Sequence, residues 1–276
     1  MMRIFLAIAA FLTMSTGAFA QEEGVRHAEP WGLGLVGAGS PQMADLISFH
    51  NLLLVIITVI TLFVLALLIW VMVRFNERSN PTPSRTSHNT LIEVVWTIVP
   101  ILILLVIAVP SFKLLINWHD VEDSEMTLKV TGYQWYWGYE YPDNGGFSFD
   151  AIMKEDAELA DGEPRLLTTD NMVVLPVDTK IKVQVTAADV GHSWAMPAAG
   201  GKIDAWPGHL NELPVQFNET GMYYGQCSEL CGRNHGFMPI TVKVVSKEEF
   251  AAWVEEAKVQ FGAAESDVKL ADASRR

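Results

Sequence analysis

The sequence predicts a two-helix transmembrane hairpin followed by an all-β domain of the sandwich or barrel kind. Three features carry that prediction: two apolar runs of spanning length, a change to alternating hydropathy after residue 125, and one downstream loop that holds both cysteines of the chain. Half of the 276 residues are hydrophobic against 18% charged, which places part of the chain in lipid. A formal charge of −13 speaks against nucleic acid as a partner and suits a cation or a basic protein. Two cysteines are too few for a disulfide framework at this length but are enough for one dedicated site.

The N-terminus has the form of an export signal over residues 1–20. Arg3 precedes an apolar stretch at 4–12, and small residues end in Ala18-Phe19-Ala20 before Gln21. That apolar core is too short to span a bilayer. Residues 21–44 then lead into a hairpin over 45–118, in which the runs 46–73 and 94–115 each suffice as helices, since about 20 helical residues cross about 30 Å of hydrocarbon. Between them, in the loop 74–92, Arg74, Arg78 and Arg85 stand against one acid, Glu77, beside Pro81 and Pro83. The positive-inside rule makes that loop cytoplasmic, so the N-terminal segment and everything beyond the second helix lie on the far side, the periplasm of a bacterial inner membrane. Glu93, where the second helix begins, suits either a carboxylate stabilised by the helix dipole or a proton uptake point into a membrane path.

Alternation with period two marks strands at 180–185 and 240–244, and short apolar runs at 126–130, 173–177, 215–217 and 222–224 add candidates, punctuated by Gly, Pro and Asn. The domain extends over 119–246. Ser246 and Glu249 form a capping-box pattern that opens an amphipathic helix to about Gln260, and the tail of the segment 247–276 is small and polar, as a disordered end would be.

The loop reads Cys227-Ser228-Glu229-Leu230-Cys231-Gly232-Arg233-Asn234-His235-Gly236-Phe237-Met238. Two thiols, an imidazole and a thioether make a soft donor set that selects copper over calcium or magnesium. His192, following the strand near Thr186, supplies a second imidazole from a distant part of the chain. With both sulfurs as thiolates, two metals could be bridged, His192 and His235 each terminating one of them. Three other uses of the cysteines stay open. A disulfide would leave the spacing of His235 and Met238 without a reason, and zinc on two cysteines and two histidines would not use Met238. A membrane-anchored copper-delivery or thiol-redox protein would show a thioredoxin-like mixture of helix and strand.

Together with Gly132-Tyr133-Gln134-Trp135-Tyr136-Trp137, Asp189-Val190-Gly191-His192-Ser193-Trp194 and Asp204-Ala205-Trp206-Pro207-Gly208, the loop resembles cytochrome c oxidase subunit II over almost the whole chain. The resemblance implies an all-β cupredoxin-like domain of Greek-key form carrying a binuclear copper centre. Cys227 and Cys231 match its bridging thiolates, His192 and His235 its terminal imidazoles, and Met238 its weak thioether ligand. Glu229 matches the residue whose backbone carbonyl approaches one copper and whose side chain faces a Mg2+ ion shared with subunit I. Trp135 matches the family's exposed tryptophan that takes the electron from cytochrome c, a basic partner. Tyr136, Asp189 and acids between Asp143 and Asp170 are expected around that landing site. Glu93 matches a glutamate at the mouth of a proton channel in subunit I. The implied role is an electron-accepting subunit of a respiratory terminal oxidase, passing electrons to haem in subunit I for oxygen reduction and proton pumping, with subunit III as a further partner. His209 departs from the pattern, which more often has arginine there. The chain has no Cys-x-x-Cys-His and so no site for a c-type haem. A quinol oxidase subunit of this fold would lack the copper ligands.

Overall fold

A computed structural model describes residues 25–28 and 31–262. The expected export signal and the tail beyond residue 262 lie outside the described residues. Helix α1 spans Pro41–Arg74 and helix α2 spans Thr90–Trp118, and both are long and apolar enough to cross a membrane. Each starts before its apolar run because a cap is available. The Ser40 hydroxyl accepts from the Met43 N–H, with Pro41 in the first turn where it has no bond to lose, and the Asn89 side chain accepts from the Ile92 N–H. Pro100 and Pro110 lie inside α2 without ending it, as membrane helices tolerate. Most of the apolar side chains on both helices remain exposed within this chain, as lipid-facing or subunit-facing helices require.

Two sheets follow and pack face to face as a cupredoxin-like β-sandwich. One holds β2 (Met126–Tyr133), β3 (Tyr136–Glu140), β4 (Ser148–Ala151), β6 (Ile181–Ala187) and β9 (Asn211–Val215), in the order β4-β3-β2-β6-β9. The other holds β5 (Val173–Pro176), β7 (His192–Met196), β8 (Gly201–Ala205), β10 (Gly221–Cys227) and β11 (Pro239–Val245), in the order β5-β11-β10-β7-β8. A short β1 (Val25–Arg26) adds to β10 in parallel. The expected alternation is present where one strand face is covered: β2 and β6 bury every second residue. It fails at β7, where all five residues are buried, so that strand offers no period to read. The strand expected at 215–217 lies instead at 211–215, with Phe217 buried just beyond it. Between the sheets pack Leu128, Val130, Trp137, Val183, Val185, Trp194, Ile240 and Val242, all fully buried. Helix α3 (Lys247–Phe261) opens on the expected capping box, with Ser246 and Glu249 exchanging both hydrogen bonds.

The hairpin is tied to the sandwich at one corner. The Gly39 N–H donates to the Ala198 carbonyl at 2.8 Å, the Gly39 carbonyl accepts from the Asn218 N–H at 2.9 Å, and the Ser40 hydroxyl donates to the Ala199 carbonyl at 2.8 Å. Met43 is buried beneath them.

Strands β7 and β10 come together only at Gln226↔Ala195 and Cys227↔Trp194, next to the cysteine loop. Gly225 makes this approach possible, because a Cβ there would lie 2.0 Å from the Ala195 carbonyl oxygen. Gly225→Ala is therefore expected to destabilise the domain by about 3 kcal/mol or more, as forced backbone separation in a core does. Chemical denaturation of the full chain in detergent checks this.

Candidate metal centre

The cysteine loop is closed by the sheet on which it stands. At its base the Cys227 N–H donates to the Met238 carbonyl at 3.3 Å, and the Trp137 indole N–H, fully buried, donates to the same oxygen at 3.3 Å. The Ser228 N–H donates to the Ser193 carbonyl at 3.0 Å, tying the start of the loop to β7. Gly232 takes a φ of +118°, open to glycine, and the chain then makes a single 3-10 turn over His235–Phe237. That turn brings His235 back towards Cys231.

These constraints gather the donors. The sulfurs of Cys227 and Cys231 are 3.9 Å apart and both residues are buried. His192 Nδ1 lies 4.0 Å from the Cys227 sulfur, His235 Nδ1 3.7 Å from that of Cys231, and the Met238 sulfur 3.5 Å from that of Cys231. The Glu229 carbonyl lies 3.4 Å from the Cys227 sulfur. Ligand atoms of His192, Cys227 and Cys231 all fall within 4.8 Å of one another. A soft metal sits about 2.3 Å from a thiolate, so one metal touches two sulfurs only if they are within about 4.6 Å. The separation here passes that test, and the soft, mixed sulfur and imidazole set fits copper.

The imidazole of His192 is fully buried and its tautomer is set from outside the cluster. Its Nε2 lies 2.8 Å from Oδ1 of Asp189, and a carboxylate only accepts, so Nε2 carries the proton and Nδ1 is left as a lone-pair donor facing the sulfurs. Gly132 leaves room for the ring: a Cβ there would lie 2.9 Å from His192 Cδ2. Burial pushes the Asp189 carboxyl up, but hydrogen bonds from His192, Val190 N–H and Gln134 N–H outweigh it and hold it below the ordinary carboxylate range. Burial likewise raises the Cys227 thiol, yet the His192 imidazole and the backbone at Glu229 and Ser193 bring it down overall. Cys231 is pushed up, by burial and by the charge on Cys227. The pair therefore favours one thiolate before a metal arrives and two only with one.

The other predicted residues are distributed around this centre. Trp135 is partly buried and partly at the surface, and its indole N–H donates to the Cys231 carbonyl at 3.2 Å. The Arg233 guanidinium lies over its ring at 5.9 Å. Tyr136 stacks on Tyr133 at 4.8 Å beside the same turn. Glu229 is half-buried and His209 is exposed. Glu93 lies half-buried in the first turn of α2, about 38 Å of helix from the Trp118 end. Of the eight acids from Asp143 to Asp170, Glu163 pairs with Lys154 and Asp156 with Arg165, and the other six form no ion pair among the described residues. Gln134 escapes sequence reasoning: its side-chain amide donates to the Cys231 carbonyl at 2.9 Å. Its one sequence signal is a lone amide inside a run of aromatic residues.

Residues 28–114 match the family model described as cytochrome c oxidase subunit II, transmembrane domain, and residues 126–245 match the model for its periplasmic domain. A Rickettsia bellii protein described as "probable cytochrome c oxidase subunit 2" is 47% identical over 92% of this chain and 92% of its own length. Cytochrome c oxidase subunit 2 of Cereibacter sphaeroides is 43% identical over 91% of this chain and 89% of its own. Among solved structures, the periplasmic domain of subunit II of the Bradyrhizobium japonicum cytochrome oxidase is 56% identical, covering 51% of this chain and 99% of that one at a TM-score of 0.48. Two apolar helices, a sandwich bearing buried soft donors, and these matches along both parts agree: the chain belongs to the cytochrome c oxidase subunit II family, a subunit of a haem-copper oxidase.

Proposed function

We propose that this chain accepts electrons from a basic cytochrome c outside the cytoplasm of a bacterial inner membrane and passes them towards haem in subunit I, where oxygen is reduced. The observation that carries this reading is the convergence of His192, Cys227, Cys231, His235 and Met238 within successive contacts of 4.0 Å or less. These side chains, with the Glu229 carbonyl, would hold two coppers. Bound there, the pair of metals supplies a one-electron couple whose charge is shared between two centres.

The chain's own residues provide the rest. Cys227 and Cys231 offer two negative charges to offset the metals, and the fixed β7 and β10 strands hold the donors still, so a change of charge meets little movement. Trp135 receives the electron at the surface and is one hydrogen bond from the Cys231 backbone. The six acids that form no ion pair among the described residues, and the net charge of the chain, attract a cationic donor and raise its rate of arrival at low salt. Glu229 presents a carboxylate for a Mg2+ ion at the boundary with subunit I, and Glu93 a carboxylate for proton uptake on the cytoplasmic side. Subunit III completes the expected assembly. The thiol-redox and copper-delivery alternative is disfavoured by the domain itself, which is a sandwich of strands without the helix-and-strand alternation of a thioredoxin.

Metal analysis with EPR on the purified chain tests the centre. Two coppers per chain sharing one unpaired electron are expected, and one copper, or a disulfide with none, would sink the reading. Trp135→Phe keeps a ring but loses the N–H that meets Cys231. It should slow electron input from reduced cytochrome c at least about tenfold, roughly 1.4 kcal/mol in the barrier, with the copper spectrum intact. Unchanged turnover would make Trp135 structural. Glu93→Ala should slow proton uptake by the assembled oxidase about tenfold, less than the roughly hundredfold or more that follows loss of a general acid or base at a reacting centre, and leave cytochrome c binding unaltered. Normal uptake would return Glu93 to a helix-end role.

A further inference from the structure

Two opposite charges line one cleft where the hairpin meets the sandwich. On α1 the residues Asp45, Ser48, Phe49 and Leu52 fall on a single stripe, at spacings of three and four, and α2 contributes Pro110, Lys113 and Leu114. Together they enclose about 270 Å³ between the helices. Phe49 and Leu114 also line a larger wedge of about 930 Å³ between the hairpin and strands β8 and β9, but no strand residue lines the cleft itself. Whatever fills it is therefore met by the two helices alone.

Helix geometry sets its depth. The 22 residues from Leu52 to Val73 carry no charge and rise about 33 Å, close to the thickness of the hydrocarbon. Ser48 then stands about 6 Å beyond the hydrocarbon edge and Asp45 about 10 Å, against a headgroup layer of roughly 5–8 Å. On α2, Lys113 follows Glu93 by 20 residues, about 30 Å, which brings its backbone to the same edge. Its long stem carries the ammonium outward from there. The floor of the cleft is thus apolar and level with the acyl chains, while its mouth is polar and level with the headgroups.

Asp45 and Lys113 do not neutralise each other. Neither forms an ion pair among the described residues, although both line the same cleft. A cation near the hydrocarbon with an anion farther out is the complement of a zwitterionic headgroup, whose phosphate lies nearer the acyl chains and whose ammonium lies outside it. The Ser48 hydroxyl donates to the Ala44 carbonyl at 3.0 Å, so its oxygen is left to accept from that ammonium.

We propose that this cleft binds one phospholipid with a primary ammonium headgroup, phosphatidylethanolamine, its phosphate on Lys113 and its ammonium on Asp45. A primary ammonium gives the carboxylate charge-assisted hydrogen bonds. The quaternary nitrogen of phosphatidylcholine has no N–H to give, and phosphatidylglycerol brings no cation for Asp45. Leu52, Pro110 and Leu114 meet the first methylenes of an acyl chain. So seated, the lipid ties α1 to α2 through a charge on each, beside the corner where the hairpin joins the sandwich.

The test uses the assembled oxidase carrying the full-length chain, unaltered and as K113Q and D45N. Each complex is stripped of lipid in detergent and re-supplied with phosphatidylethanolamine, phosphatidylglycerol or phosphatidylcholine of the same acyl chains, and the lipids retained per complex are counted by native mass spectrometry. The unaltered complex should keep one more phosphatidylethanolamine than either variant and hold it about tenfold more tightly, the scale of one charge-assisted hydrogen bond. D45N should also lose the preference for phosphatidylethanolamine over phosphatidylglycerol, whereas K113Q should weaken both. Equal counts in the three complexes, or equal retention of the three lipids by the unaltered one, would make Lys113 an ordinary cation reaching for water and overturn the proposal. Release of the lipid by inorganic phosphate would identify a site for phosphate alone and overturn it too. Should K113Q fail to assemble, D45N decides by the same count: a lost phosphatidylethanolamine supports the site and a retained one overturns it. The lipid count does not depend on the metal centre, so absence of a two-copper signal in the unaltered oxidase would defeat the copper reading and leave this one standing.

Discussion

The hydrogen bond from the Cys227 N–H to the Met238 carbonyl is the constraint on which the rest of the site depends. It joins the two ends of the loop, so residues 228–238 form a closed excursion from the sheet rather than a free connection. Closing a loop costs conformational entropy, and the flanking strands offset it: β10 and β11 are paired from Gly221↔Val244 to Gln226↔Pro239 immediately below. The fully buried Trp137 adds a second donor to the same carbonyl from the opposite sheet. Both sheets thus hold one oxygen, and the positions of Cys227 and Met238 follow from it.

Holding donors in an apolar interior has an electrostatic cost, because burial disfavours every charged form. The site meets it by giving each group a partner. His192 has Asp189 outside and Cys227 inside, Cys227 has His192 and nearby backbone, and Asp189 has three N–H donors. What stays uncompensated is the second thiolate, since Cys231 faces the charge on Cys227. A cationic metal supplies what that arrangement lacks, so the geometry that is least favourable without a metal is the geometry that favours one.

Much of this is legible in the sequence because residue type carries it. Two cysteines, His235 and Met238 within one loop name a chemistry without any knowledge of the fold, and the apolar runs of α1 and α2 report their length directly. The extent of the sheets is less legible. β7 is buried on both faces and so has no alternation, although it carries His192 and is the strand against which β10 places Cys227. β4 and β8 are short strands whose pairing, not their composition, makes them strands. The family resemblance implies an exposed Trp135; the ring is partly at the surface, and the hydrogen bond its indole N–H makes to the Cys231 carbonyl is a tertiary detail that residue type does not carry. The contact of Gln134 is signalled in the sequence only by a lone amide among aromatic residues, since an amide acquires its partner from the backbone oxygen it meets. Residue chemistry is local, whereas second partners belong to the tertiary structure.

The charge pattern around Trp135 follows from the same distinction. Asp189 is engaged by His192, Val190 and Gln134, so its field is largely compensated where it stands. Arg233 places a cation over the indole itself, which on the proposed reading is the centre of the surface that a basic donor meets. Attraction for such a donor would then come from farther out, from the acids of 143–170 that form no ion pair among the described residues and from the net negative charge of the chain. Interactions of that range, about a Debye length of 8 Å at physiological salt, guide approach without gripping the partner. On the proposed reading, the partly exposed Trp135 is left to make the contact. A donor that must leave after every electron would be served by such a division, in which charge at the periphery governs arrival and a small apolar centre keeps departure fast.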